Sequence, residues 1–243
     1  MHALSAGELL GVWELGLAQG LVERALTLLG AACDAPPDAL ASLTIGQRDA
    51  CLLTLREWTF GSRMSGVLTC PDCGQRLELT FDVAEVRADA PADTGRAASL
   101  AKEGYDVQFR PPDSADLAAA PGESDPMRLR ALLLERCLLA AHHDGEPVSA
   151  DRLPPEVVDA VAAGIAQADP QADVEFAVSC ASCGHPWRAI FDIGSFFWSE
   201  IDAWACRILR EVHTLASAYR WAERDILALS PQRRQLYLEM VTG

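Results

Sequence analysis

The sequence predicts an α+β protein, mostly helical, with a small β-structured centre made from two copies of one hairpin. Three observations carry that expectation. Apolar residues recur at helical spacing at both ends of the 243-residue chain and through much of its middle. Short stretches alternate apolar and polar residues with the period of a half-buried strand. The stretch CPDCGQRLELTFDV, Cys70 to Val83, returns as CASCGHPWRAIFDI, Cys180 to Ile193, so that Cys70, Cys73, Gly74, Phe81, Asp82 and Val83 each match a residue 110 positions later.

Taken in order, Ser5 and Glu8 form a capping box, and Leu9, Leu10, Trp13, Leu17, Leu21, Ala25 and Leu28 keep one helical face to about Leu29. After the breaker DAPPDAL, a second box of Thr44 and Gln47 opens a helix in which Cys51, Leu52, Leu55 and Trp58 share a face, and Gly61 stops it. Leu77, Leu79, Phe81 and Val83 alternate with polar residues, as do Val174, Phe176 and Val178 before the second cysteine pair and Trp187, Ala189, Phe191 and Ile193 after it. Each pair therefore joins two strand-like segments. The polar stretch Arg87 to Gly104 reads as a loop, YDVQF as a short strand, and Asp113 or Ser114 as the cap of a brief helix. Asp125 and Pro126 start a helix with Leu129, Leu132, Leu133, Cys137 and Ala140 along one stripe, running on to His142 and His143 at its C-terminus. A further helix spans about Pro154 to Ala168. At the C-terminal end Ile201, Trp204, Ala205, Ile208, Val212 and Leu215 share a face, followed by a short helix in WAERDILAL and a last one from Ser230 and Pro231. His213 is expected to be partly buried, and Cys33, Cys51, Cys137 and Cys206 to be small core residues. The expected organisation is an N-terminal helical region, 1–62, a β region, 63–195, with a helical insertion at about 98–170, and a C-terminal helical module, 196–243.

The repeated cysteines carry the chemistry. A CxxC turn offers two thiolates to one ion, the following glycine permits the tight backbone, and two such turns complete a tetrahedron. Cys70, Cys73, Cys180 and Cys183 are thus candidate ligands of one structural Zn2+, and the fold centre reads as two pseudo-repeated zinc-knuckle β-hairpins in a zinc-ribbon-like arrangement. Four sulfur ligands leave no position for substrate. Redox chemistry of the thioredoxin type is the competing reading, but there CxxC opens a helix, whereas both copies here precede alternating strand sequence. A pair of dithiols that no longer binds metal is a second alternative. His185, with Gln75 as its counterpart, reads as a surface or supporting group rather than a ligand.

Composition narrows the function classes. A net charge of −15, from 20 basic and 35 acidic residues, opposes docking on a polyanion. The N-terminus lacks a basic leader and carries Glu8 and Glu14 within its apolar pattern, and no apolar run approaches the ~20 residues of a membrane span. A cytoplasmic protein with reduced cysteines is expected. No P-loop, GxGxxG, HExxH or catalytic triad order appears, so no enzyme activity is expected.

Three stretches, Leu43 to Val83, YDVQFRPPDSADLAAA and His213 to Val241, resemble a family of baseplate-associated proteins of T-even-type contractile phage tails and bacterial contractile injection systems. The resemblance runs from roughly Leu9 to Val241 and implies a non-enzymatic component or chaperone-like assembly factor of the baseplate hub, with other baseplate or tail proteins as partners and no small-molecule substrate. The mixture of Tyr219, Trp221 and Tyr237 with Arg224, Arg233 and Arg234 marks a candidate partner-binding surface, aromatic and arginine side chains being enriched at interfaces. A plain packed helical hairpin with a solvated basic face explains the same residues. The rival class is a zinc-ribbon regulator of transcription whose C-terminal helices form a helix-turn-helix.

Overall fold

A computed structural model describes residues 1–89, 97–119 and 125–242. They fall into two compact units, Met1–Asp34 with Gly194–Gly243, and Ala35–Ile193.

In the first unit the capping box forms as expected: the Glu8 N–H donates to Ser5 Oγ at 3.3 Å and the Ser5 N–H to the Glu8 carboxylate at 2.8 Å, opening α1 (Ala6–Gly16). The single helix expected to run to Leu29 is two. α2 (Leu21–Ala32) restarts from Gly20, whose N–H donates to the Glu23 carboxylate at 2.8 Å. Gly16, the last residue of α1, lies against Trp198, whose ring occupies the space an added Cβ would need. Arg24 fastens this corner, its Nε donating to the Gly16 carbonyl at 2.8 Å and its guanidinium lying 4.5 Å from the Trp198 ring centre.

In the second unit α3 (Pro37–Ala41) precedes α4 (Ile45–Phe60), which opens on the Thr44–Gln47 box and closes on Gly61 at φ +88°. Leu52 and Leu55 are fully buried, Cys51 only half, and Trp58 is 47% exposed, because the apolar stripe swings out of the core towards the helix end. The buried Arg56 donates to the carbonyls of Gly61 and Arg63 and so sets the turn into β1 (Arg63–Thr69). β1 pairs antiparallel with β2 (Arg76–Asp82) from Arg63 opposite Asp82 to Thr69 opposite Arg76. Asp82 then caps the one-turn α5 (Val83–Val86).

The following segment combines strands and helices. Of the polar stretch expected as loop, residues 90–96 lie outside the described residues, and Ala98–Lys102 forms β3. β3 pairs with β4 (Tyr105–Phe109), after which come α6 (Ser114–Ala118), capped by Asp113, and α7 (Pro126–Cys137). α7 stops at Cys137, not beyond Ala140, because Leu138–His143 is captured as β5 by pairing with β4. His142 and His143 therefore lie in a strand instead of at a helix C-terminus. β5 turns back to β6 (Glu146–Pro147), completing the sheet order β3-β4-β5-β6. Both tight turns, Glu103-Gly104 (φ +53°, +82°) and Asp144-Gly145 (φ +49°, +87°), have two positive φ angles, the hand that matches strand twist. α8 (Pro155–Ala168) covers the sheet, and Val157 and Val161 pack with Val107, Phe109, Ala141 and Leu153. The chain ends this unit in the hairpin β7 (Glu175–Ser179) and β8 (Pro186–Ile190), paired from Glu175 opposite Ile190 to Ser179 opposite Pro186.

The C-terminal helices are α9 (Ile193–Tyr219), α10 (Glu223–Leu227) and α11 (Pro231–Thr242). Leu10, Ala205 and Ile208 form one core of the first unit with Trp13, Trp204, Leu209 and Leu227; Val212, Leu215 and Ile226 form another with Tyr219, Trp221 and Tyr237. That inward stripe leaves His213 and Cys206 exposed, contrary to the burial expected for them. Cys33 is half-buried and Cys137 is buried.

The segment RPPDSAD is a joint. The Asp116 side chain, 1% exposed, accepts both Nη atoms of Arg110 at 2.6 and 3.0 Å, Nε of Arg136 at 2.9 Å and the Asp113 N–H at 3.0 Å. The Pro112 carbonyl accepts the Ile45 N–H at 3.1 Å and the Cys137 carbonyl the Arg110 N–H at 2.9 Å, so α4, β4, α6 and α7 meet here. Opposite, Asp169 accepts the Gly46 N–H at 2.8 Å, and Gln171 clamps the chain after α5 through Val86 and Ala88.

Burial raises the Asp116 carboxyl, but the hydrogen bonds from Arg110, Asp113 and Arg136 outweigh it and hold the group at about 2. A carboxylate depressed from 3.8 contributes stability that is present above pH ~4 and lost as pH falls through about 2, worth about 2 kcal/mol. Asp116→Asn is expected to destabilise the protein by roughly 2–4 kcal/mol at pH 7 and to flatten its stability between pH 4 and 2, read by urea unfolding across that range. Gly46→Ala, whose Cβ would come within 2.0 Å of Asp169 Oδ1, is expected to lower the thermal midpoint without altering the circular-dichroism spectrum of the folded state.

Candidate metal centre

The connection of each hairpin is the same knuckle built twice. In the first, the Cys70 N–H donates to the Gln75 carbonyl at 2.9 Å and the Gly74 N–H to the Cys70 carbonyl at 3.0 Å; in the second, Cys180 to His185 and Gly184 to Cys180 repeat this at 2.9 and 2.8 Å. Gly74 and Gly184 sit at φ +73° and +76°, the left-handed region that a side chain would strain. Each turn leads directly into a strand, β2 or β8.

The two knuckles meet. Cys70 Sγ lies 3.7 Å from Cys183 Sγ and Cys73 Sγ 3.6 Å from Cys180 Sγ, and all four sulfurs lie within 4.8 Å of one another. The first cysteine of each turn is buried, at 1% and 2% exposure, and the second is exposed. Exchanging the two hairpins maps the first short contact onto the second, so a local two-fold axis passes through the centre of the cluster. Zinc–thiolate bonds of about 2.3 Å in a tetrahedron place the sulfurs about 3.8 Å apart. The two short separations are close to that value, and four thiols are a donor set compatible with a metal site.

Without a cation the four thiols compete for charge. The Cys183 and Ser182 N–H groups pull Cys180 down to about 7. The His185 N–H favours the Cys183 thiolate, but removal from water and the neighbouring sulfurs prevail and push it up to about 12. Cys73 is likewise raised: the Gln75 N–H and the Cys183 sulfur favour its thiolate, but removal from water and the Cys180 and Cys70 sulfurs prevail. Sulfurs this close cannot all ionise unless positive charge sits among them. His185 is half-buried and stacks on Trp187 at 6.3 Å between ring centres; among the described residues the donor group consists of the four cysteines alone.

An aromatic cluster at the other end of the hairpins has a place the sequence reading did not give it. Phe81, Phe176 and Phe191 lie 4.7, 5.5 and 5.8 Å apart, in tilted and edge-on contacts. Phe81 and Phe191 are equivalent positions of the repeat, which was the signal available for finding it. Phe81→Ala is expected to cost about 3–4 kcal/mol in urea unfolding, as for other large aromatic truncations in a core.

The residues marked as a partner surface divide. Tyr219, Trp221 and Tyr237 pack on one another at 4.7 to 5.9 Å around Val212, Leu215 and Ile226. Arg234 is buried and pairs with Glu211 at 2.7 Å, while Arg224 and Arg233 are exposed. No helix among the described residues is long and apolar enough to cross a membrane.

Neither a curated protein nor a solved structure matches the chain. Residues 18–198 match the family described as T4 bacteriophage base plate protein, a span that takes in both knuckles and the RPPDSAD joint and stops short of α10 and α11. Covering most of the sequence, that match shows that the chain belongs to the T4 bacteriophage base plate protein family.

Proposed function

We infer that the protein is a non-enzymatic component or chaperone-like assembly factor of the baseplate hub of a contractile phage tail or contractile injection system, stabilised by one structural zinc ion. The family match carries the first part and the cluster of four sulfurs the second. Cys70, Cys73, Cys180 and Cys183 would hold the ion, which supplies a fixed tetrahedral crosslink between residues more than a hundred positions apart. Because the four ligands come together only in the folded chain, the binding energy of such an ion adds to folding. The protein's own residues do the rest: the knuckle N–H groups stabilise thiolate charge, and the glycines hold the turns open for it.

A regulator of transcription has less support. Its case rested on arginines of the last helix, and Arg234 is spent on Glu211 within the first unit, beneath a chain of net charge −15. Duplex DNA titrated at two salt concentrations is expected to show no binding that falls steeply with salt; such binding would favour the regulator.

Protein purified after expression with ample zinc is expected to contain about one equivalent by elemental analysis, and Cys70→Ser to contain none, with a thermal midpoint lower by about 10 °C, or roughly 3 kcal/mol. Affinity capture from the native host is expected to recover tail-tube, spike or baseplate subunits. Recovery of promoter DNA or polymerase instead would overturn the assembly role.

A further inference from the structure

The two hairpins touch at two places of different chemistry. At the base, Met64 is 0% and Phe81 6% exposed, and Phe81 packs on Phe176 and Phe191. At the far end Cys70 and Cys180 are buried again. Between them nothing is fully buried: Gly66, Leu68, Leu77 and Leu79 of the first hairpin and Val178, Trp187 and Ala189 of the second are all half-exposed. Six residues separate Met64 from Cys70, a lever of about 20 Å at ~3.3 Å per residue. Each hairpin is an isolated two-stranded sheet, marginal in water without a partner face.

Resting on the metal centre inferred above, we propose that the ion is a latch for the hairpin tips alone: its loss opens and frays residues 65–79 and 177–189 while the phenylalanine base and the rest of the second unit stay folded. The base has independent support. Phe81 belongs to the first hairpin, and the strand containing it runs into Asp82 and α5, whose Val86 and following Ala88 are clamped by Gln171. Arg56 fixes the start of β1 from α4. None of these contacts involves a residue of the tips. The half-buried apolar residues of the tips, Leu68, Leu77, Leu79, Val178 and Trp187, lose cover as the tips fray.

Hydrogen exchange of the full-length, zinc-loaded protein before and after chelation, with metal content measured in both samples, tests this. Exchange in peptides covering 65–79 and 177–189 is expected to accelerate at least tenfold. Peptides covering 81–86, 105–109 and 157–171 are expected to stay within about twofold. The double variant Cys73→Ser/Cys183→Ser, which changes only the two exposed thiols, is expected to give the same pattern without chelator. Simultaneous loss of protection across 35–193 would overturn the latch by showing that the ion supports the whole unit. Tips that remain protected in verified metal-free protein, after verified loading, would overturn the latch while leaving the metal centre standing. Failure to take up zinc at all would remove both.

Discussion

Two turns of one chain end with their sulfurs 3.6 and 3.7 Å apart although 107 and 113 residues separate the partners. Closing a loop of that length costs about 4 kcal/mol in chain entropy. At the hairpin base the buried Phe81, worth roughly 1.5–3 kcal/mol, and the half-buried Phe176 and Phe191 packed on it offset much of that cost without help from the thiols. The aromatic contact can therefore close the loop, and the thiol cluster then finds its members already aligned by two strands of fixed register. The order of dependence runs from base to tip.

The residues that set the base lie well away from the cysteines. Arg56 governs where β1 starts, Asp82 where β2 stops pairing and the chain begins a helix, and Gln171 where the chain after that helix can go. The RPPDSAD joint plays a parallel part in the middle of the unit. One buried carboxylate collects two arginines from different elements, and adjacent main-chain bonds tie α4 to the sheet. Removing one partner from such a group leaves charge without compensation, which is why the joint is sensitive out of proportion to its size.

Much of this was legible in the chain. The capping boxes at Ser5 and Thr44, the strand alternation and the thiol pairing follow from local spacing and from the repeat, because a duplicated motif reports on its own partner. What failed was local propensity meeting tertiary pairing. Leu138–His143 reads as the end of a helix, yet β4 offers it a hydrogen-bonding edge, and the Asp144-Gly145 pair after it is the local signal of the turn. The N-terminal apolar periodicity runs through a break between Gly16 and Leu21, where the chain restarts from Gly20 on the Glu23 carboxylate, a local cap that the spacing of apolar residues does not register. Asp116 looked like an unremarkable helix residue, since nothing in its neighbourhood announces two arginines arriving from other elements. In the aromatic-arginine mixture near the C-terminus the half-buried rings stack on one another and Arg234 pairs with Glu211, while Arg224 and Arg233 stay exposed, a division that composition alone does not make.

The local two-fold axis of the sulfur cluster has a genetic corollary. Four ligand positions collapse into two kinds, an inner pair, Cys70 and Cys180, and an outer pair, Cys73 and Cys183, distinguished by solvent access. A change at one member of a pair thus removes a donor of the same kind and depth as a change at the other, whichever copy of the repeat carries it.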